Sequence, residues 1–213
     1  MLKVEPNPER ERLGFKDAVL SSFKFLRDLG LRPVEKKMTL VRYKSRHVFV
    51  DVYHGRASFE LGVEIGRLAD PKKTLSIATI VDWAGAYKAE GFGQHVMFQV
   101  TTREGVQEFV PKLAALVKKY AIRLLRNDDS AWDAALNLQR RQWDEYVKEV
   151  HLGHVREKAE AAWHAKDYIR VVELYEPVRQ DLTEIEAKKL AYAEHQILTA
   201  EGAGSRSSSR GGR

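Results

Sequence analysis

The sequence predicts an α+β fold, a small antiparallel β-meander packed with helices and followed by an all-helical C-terminal extension. Three observations carry this. Through MTLVRYKSRHVFVDVYHGRASFELGVEIG, residues 38–66, apolar residues recur at every second position between two polar interruptions, the period of half-buried strands. On both sides of that stretch the apolar residues fall at helical spacing instead. From His154 to Leu198 only the helical period remains.

The elements follow in order. FKDAVLSSFKFLRDLGLRP sets Phe15, Val19, Phe23, Leu26 and Leu29 on one helical face, with Asn7-Pro8 as an early start, Gly30 as the stop and Pro33 beyond. Within the meander, His54-Gly55-Arg56-Ala57 reads as a two-residue hairpin with glycine where positive φ is needed. That turn sets Val52 against Phe59, Val50 against Leu61 and Val48 against Val63. A second turn at Lys44-Ser45-Arg46-His47 sets Tyr43 against Val48, Val41 against Val50 and Thr39 against Val52. Both turns place the same valine-rich face inward, as a consistent register must, under the helices expected near residues 15–30 and 104–125.

The opposite face is mixed. In this register Asp51 opposes Glu60, which costs a few tenths to ~1 kcal/mol unless Arg42, on the diagonal, answers it, and Phe49 lies over Gly62. Arg42, Phe49, Asp51, Tyr53 and Glu60 are the candidate partner-binding residues, because aromatic rings bordered by charges of both signs make a contact surface. The plain alternative is a solvated face with an ion-pair ladder.

After the meander, ADPKK reads as a loop and Leu75–Ala86 as a short helix or a strand leading into one, with the helix favoured after Ser76. Residues 88–95, with two glycines around Phe92, read as a loop, and Val96–Val100 as a possible fourth strand. Residues 101–125 carry the strongest helical pattern, with Thr101 and Glu104 at capping-box spacing and a Pro111 that either kinks the helix or delays its start. Asn127-Asp128-Asp129-Ser130 then caps a helix running to about Val150, with Trp132, Leu136, Trp143, Val147 and Val150 on one side.

VREKAEAAWHAKDYIRVVELYEPV, residues 155–178, has small Ala159 at a close approach, Trp163 near the first helix end, a Lys166-Asp167-Tyr168 turn, and Val171, Leu174 and Tyr175 on the second helix. It is similar to one tetratricopeptide-type helix pair. The resemblance implies a helix-hairpin packing unit and, from it, a peptide or protein binding surface. There is one copy, without the usual terminal proline, so the pair must bury its face elsewhere, most simply against Trp132 and Trp143. A third helix from Leu182 to Leu198 starts at a Thr183/Glu186 capping box and turns Leu190, Ala193 and Ile197 inward. The expected organisation is an α+β domain at 8–126, a helical extension at 128–198 and a disordered Ser/Arg/Gly tail at 199–213.

At 213 residues the chain is long enough for a proper core without staples. It has no cysteine, which excludes disulfides, thiolate metal sites and cysteine nucleophiles and suits a reducing cytoplasm. No signal peptide or apolar run long enough for a bilayer is visible, so a soluble cytoplasmic protein is expected. The net charge of +6 invites nucleic-acid binding, but three arginines against one glutamate from Glu201 to Arg213 supply part of it, and elsewhere bases and acids interleave. That weakens the nucleic-acid reading and confines it to the tail.

Tests for chemistry return little. His151 and His154, near Glu149 and Glu157, lack a ligand set from a second element and read as structural, with no metal expected. Glu60 and Glu64 lie ~13 Å apart along one strand, too far for a shared acid–base task. Neither a nucleophile elbow nor a phosphate-binding glycine loop occurs, and no cofactor is expected. The sequence therefore points to a non-enzymatic intracellular protein-binding module, an adaptor or an inhibitor of the immunity-protein kind, using the outer sheet face and the helix hairpin. An enzyme with a site dispersed along the sequence is the alternative.

Overall fold

The computed structural model describes residues 8–55, 57–91 and 99–207, with side chains from Arg10 to Ala200. The chain divides into two compact units, Met1–Arg141 and Gln142–Arg213. The fold is α+β.

The first unit is built on a five-stranded antiparallel sheet whose strands lie side by side in chain order. These are β1 (Arg32–Lys36), β2 (Leu40–Lys44), β3 (Val48–His54), β4 (Leu61–Arg67) and β5 (Asp70–Ser76). The sequence predicts the central three; β1 and β5, which includes most of the expected ADPKK loop, are the edges. Pro33 on β1 and Pro71, Lys72 and Lys73 on β5 are residues that protect an edge from pairing with another chain. Such strands lack clean alternation, so an apolar pattern passes over them.

The register differs from the expected one by whole pleats. Val52 pairs with Val63, Val50 with Ile65 and Val48 with Arg67, four residues along β4 from the prediction. Val41 pairs with Val52 and Tyr43 with Val50, two residues along β3. Both offsets are even, so the apolar face stays inward although every predicted pair changes. The β2–β3 turn is closed by Ser45, whose N–H donates to the Val48 carbonyl (2.9 Å) and whose Oγ accepts from the Val48 N–H (3.2 Å). The β3–β4 connection is longer than a two-residue hairpin: β3 runs through His54, and the Gly55 N–H reaches the Glu60 carbonyl at 2.7 Å. Arg56, in the expected turn, lies outside the described residues.

The inner face packs under α2 (Phe15–Ser22) and α4 (Arg103–Tyr120), as expected. Val41, Val50, Val52, Val63 and Ile65 meet Phe15, Val19, Val110 and Leu113 in one core. Gly30, at φ +78, ends the first helical segment. α1 (Pro8–Arg12) precedes it. α3 (Ile77–Trp83) starts after Ser76, whose side chain accepts from the Thr79 N–H. The cap of α4 is Thr102 rather than Thr101, accepting from the Gly105 N–H. α4 includes Pro111; the Gln107 carbonyl that loses its donor there is on the exposed side, where water can satisfy it. α5 (Ile122–Leu125) follows. The strand expected at Val96–Val100 lies largely outside the described residues, apart from a bridge between Glu60 and Gln99.

α6 (Asp129–His164) contains the boundary between the units. It runs past the expected end at Val150, and Gly153 does not break it. Trp132 is buried in the first unit's core, its Nε1–H donating to the Leu124 carbonyl (3.0 Å), whereas Trp143 is exposed. The core that covers the helix pair at residues 155–178 includes neither of these tryptophans, which corrects the expected packing.

The second unit buries that face itself. Leu152, Val155, Ala159 and Ala162 of α6, Val171 and Tyr175 of α7 (Tyr168–Tyr175), and Leu190 and Ala193 of α8 (Glu184–Ser207) form its core. The capping box at the start of α8 closes as predicted, with the Thr183 N–H to Glu186 Oε2 at 2.7 Å and the Glu186 N–H to Thr183 Oγ1 at 3.3 Å. α8 continues through Thr199–Ser207, a stretch the composition assigns to a disordered tail; residues 208–213 lie outside the described residues.

Candidate functional site

Among the described residues three places concentrate polar or aromatic chemistry, and the outer sheet face is the one the sequence singles out. Arg42 is directly opposite Asp51, not diagonal to it, and clasps it with Nε–Oδ1 at 2.6 Å and Nη2–Oδ2 at 2.5 Å. The acid across from Asp51 on β4 is Glu64, not Glu60, which removes the expected Asp51–Glu60 pair. Phe49 lies over Gly66 rather than Gly62, and the glycine under Tyr53 is Gly62. The Arg42 guanidinium sits 5.1 Å above the Phe49 ring.

Phe49 is 4% exposed and Asp51 is buried with it, so these two stiffen the face from below. Arg42, Tyr53, Glu60 and Glu64 are half-buried and form its accessible part. Burial, with Glu60 and Glu64 adding to it, raises the Tyr53 hydroxyl pKa, which keeps the phenol neutral and able to donate.

The second place is His54. The ring is buried between Phe15, stacked at 5.7 Å, and the edge-on Phe59 at 5.9 Å, and its nitrogens meet Arg10 and the Val100 carbonyl. Both nitrogens are committed, so His54 holds segments together and has no lone pair for a reacting group.

The third is a cleft of about 530 Å³ in the second unit, lined by the end of α6, the turn after it, α7 and α8. Trp163, Tyr168 and Tyr192 form a triangle of edge-to-face rings, with centroids 5.5–5.9 Å apart. Each such contact contributes ~0.5–1.5 kcal/mol beyond the area buried. Ile185 and Tyr192 remain largely exposed on the α8 wall.

Charge on the rim is mostly positive, from Lys166, Lys188 and Lys189 beside His164. Lys166 holds a positive φ of 57 at the turn, and the Asp167 side chain caps α7 by accepting from the Arg170 N–H (3.0 Å). Glu160 accepts from Lys189 and lies 3.1 Å from His164 Nε2. The Lys189 hydrogen bond is the main cause holding the Glu160 carboxyl below its ordinary pKa. Lys188 pairs with Glu184 one turn away at 2.6 Å, an exposed pair of the kind worth only a few tenths of a kcal/mol. A ligand carboxylate can therefore recruit Lys188 at small cost.

Protein-family models, curated proteins and solved structures hold no match to the chain.

The site is thus read from its own geometry. Among the described residues no three His, Asp or Glu side chains gather where they could hold a metal ion, and no helix is long and apolar enough to cross a membrane. What the cleft offers is an apolar floor and an ammonium rim, a binding chemistry. The sequence predicts Trp163 near the end of the first helix and Tyr168 in the turn after it, but the pattern passes over the α8 wall. Its signal is present: Ile185, Lys188, Lys189 and Tyr192 stand at i, i+3, i+4 and i+7, beside the inner stripe of Leu190 and Ala193.

Proposed function

We propose that the protein is a non-enzymatic binding module for other proteins, an adaptor or inhibitor acting in the cytoplasm, with the C-terminal cleft as its grip. The observation that carries this is the exposure of Ile185 and Tyr192 inside a ring of three lysines. An apolar side chain flanked by carboxylates is what such a surface accepts: the first fills the floor, the second replaces weak internal ion pairs at the rim. The tetratricopeptide-like helix pair is, in this reading, the scaffold of the cleft. The accessible part of the outer sheet face, Arg42, Tyr53, Glu60 and Glu64, is a second contact area, with Phe49 and Asp51 fixing its shape.

The test uses the full chain against an array of short peptides in which one leucine or phenylalanine is flanked either by acidic or by basic residues. Acidic peptides should bind, with affinity falling as salt rises. Tyr192→Ala and Lys188→Glu should each weaken binding about tenfold or more, the size of a central contact, with helical circular dichroism unchanged. Equal retention of acidic and basic peptides, or unaltered affinity in both variants, overturns the reading.

A further inference from the structure

We propose that two copies of the chain associate antiparallel through α6, on the stripe Trp143, Tyr146, Val147 and Val150. These side chains are 64, 60, 47 and 42% exposed, and the Trp143 and Tyr146 rings lie 5.8 Å apart. Their spacing of three, four and seven residues puts them on one side of the helix. Leu152, Val155 and Ala159, which build the second unit's core, project from the other side. α6 is therefore apolar on two faces here, and among the described residues only one of them is packed in a core.

The stripe is complementary to itself when reversed. Its N-terminal half holds the two large rings and its C-terminal half the two valines. An antiparallel second copy centred between Tyr146 and Val147 sets each Trp143 on the other copy's Val150 and each Tyr146 on its Val147, large on small throughout. A parallel copy would crowd tryptophan on tryptophan and leave a gap between valines.

The polar flank agrees with this choice. Asp144 and His151 project from the same flank of the stripe, and in an antiparallel pair like flanks meet, so each copy's Asp144 faces the other's His151 and can accept from its ring N–H. Four rings and four valines, each already partly covered within its own chain, bury less than the roughly 1,200–2,000 Å² of a stable interface. The dimer is therefore concentration-dependent.

Sedimentation equilibrium of the full chain tests this. The mass should rise from one chain to two with concentration, and Tyr146→Asp should hold the protein monomeric with unchanged helical circular dichroism. A second test uses the cysteine-free background. Mixed Asp144→Cys and His151→Cys chains, treated with a short bismaleimide, should give more mixed cross-link than either self-cross-link. A wild-type monomer at every concentration, a dimer that survives Tyr146→Asp, or dominance of the Asp144→Cys self-cross-link overturns the proposal.

Discussion

Nδ1 of His54 lies 2.9 Å from Nη1 of Arg10, while Nε2 lies 2.7 Å from the Val100 carbonyl. A guanidinium only donates and a carbonyl only accepts, so the ring is neutral with its proton on Nε2. Three separated segments, α1, β3 and Val100, two residues before the α4 cap, are tied by one side chain. Burial is the main cause lowering the His54 pKa, and the Arg10 charge adds to it.

The consequence is a pH-dependent stability of definite sign. With the folded pKa below the ordinary value of about 6.5, the unfolded chain takes up the proton first. The contribution is complete above about 6.5 and is lost as pH falls through the lower folded value. Thermal melts between neutral and mildly acidic pH should show the wild type losing more stability than His54→Gln, whose amide can accept from Arg10 and donate to Val100. Parallel pH profiles would show that His54 is not the group responsible.

Two glycines on the outer sheet face exist because rings lie on them. A Cβ on Gly66 would stand 2.3 Å from Phe49 Cζ, and one on Gly62 would stand 2.2 Å from Tyr53 Cζ. Phe49 is buried and has nowhere to go, whereas Tyr53 is half-buried and can swing outward. Gly66→Ala should therefore cost about 1–3 kcal/mol, the usual range for overpacking, and Gly62→Ala less. Combining Gly66→Ala with Phe49→Ala should recover part of the loss in urea melts. Equal cost at both glycines would contradict the difference in ring freedom.

Those glycines also show what was legible in the chain. Alternation fixed which residues face inward, because a displacement by whole pleats preserves parity, and so the core under α2 and α4 was readable from Val41 to Ile65. The offset between strands belongs to the turns. Ser45 closes its turn through its side chain, and Gly55 is bonded to Glu60 across a longer loop, neither of which a glycine-position rule anticipates. Hence the two-residue turn puts Phe49 over Gly62 and Asp51 against Glu60, although it gathers the right residues on the right face. The cleft was harder to read because its lysines resemble any solvated helix face until Tyr192 closes against Trp163 and Tyr168.

Arg42 and Asp51 give a direct measure of that corrected register. Both guanidinium contacts are short and parallel, Asp51 is buried and Arg42 is half-buried, so the pair stands between exposed bridges and fully desolvated ones. A double-mutant cycle with Arg42→Ala and Asp51→Ala should yield a coupling of about 1–2 kcal/mol. Pairing Arg42→Ala with Glu60→Ala should yield additive effects, because Glu60 is not in register with Arg42. Coupling of similar size in the second cycle would restore the two-residue hairpin.

Asp128 sets the start of α6 and carries its own pH signature. Its Oδ1 accepts from the Ala131 N–H at 3.1 Å and from the Ser130 hydroxyl at 2.9 Å, and its Oδ2 accepts from Arg123 Nε at 2.8 Å. The Arg123 bond is the largest cause, ahead of the Ala131 N–H, that brings the carboxyl down to about 2. A carboxylate depressed in the folded state contributes fully above the ordinary value near 4 and is lost as pH falls through about 2. Asparagine can keep the bond from Ala131 but not the charge. Asp128→Asn should therefore lower the melting temperature at neutral pH less than Asp128→Ala, and it should flatten the acid limb of the stability profile. An acid limb as steep in the asparagine variant as in the wild type would mean that other carboxylates, not this cap, govern acid unfolding.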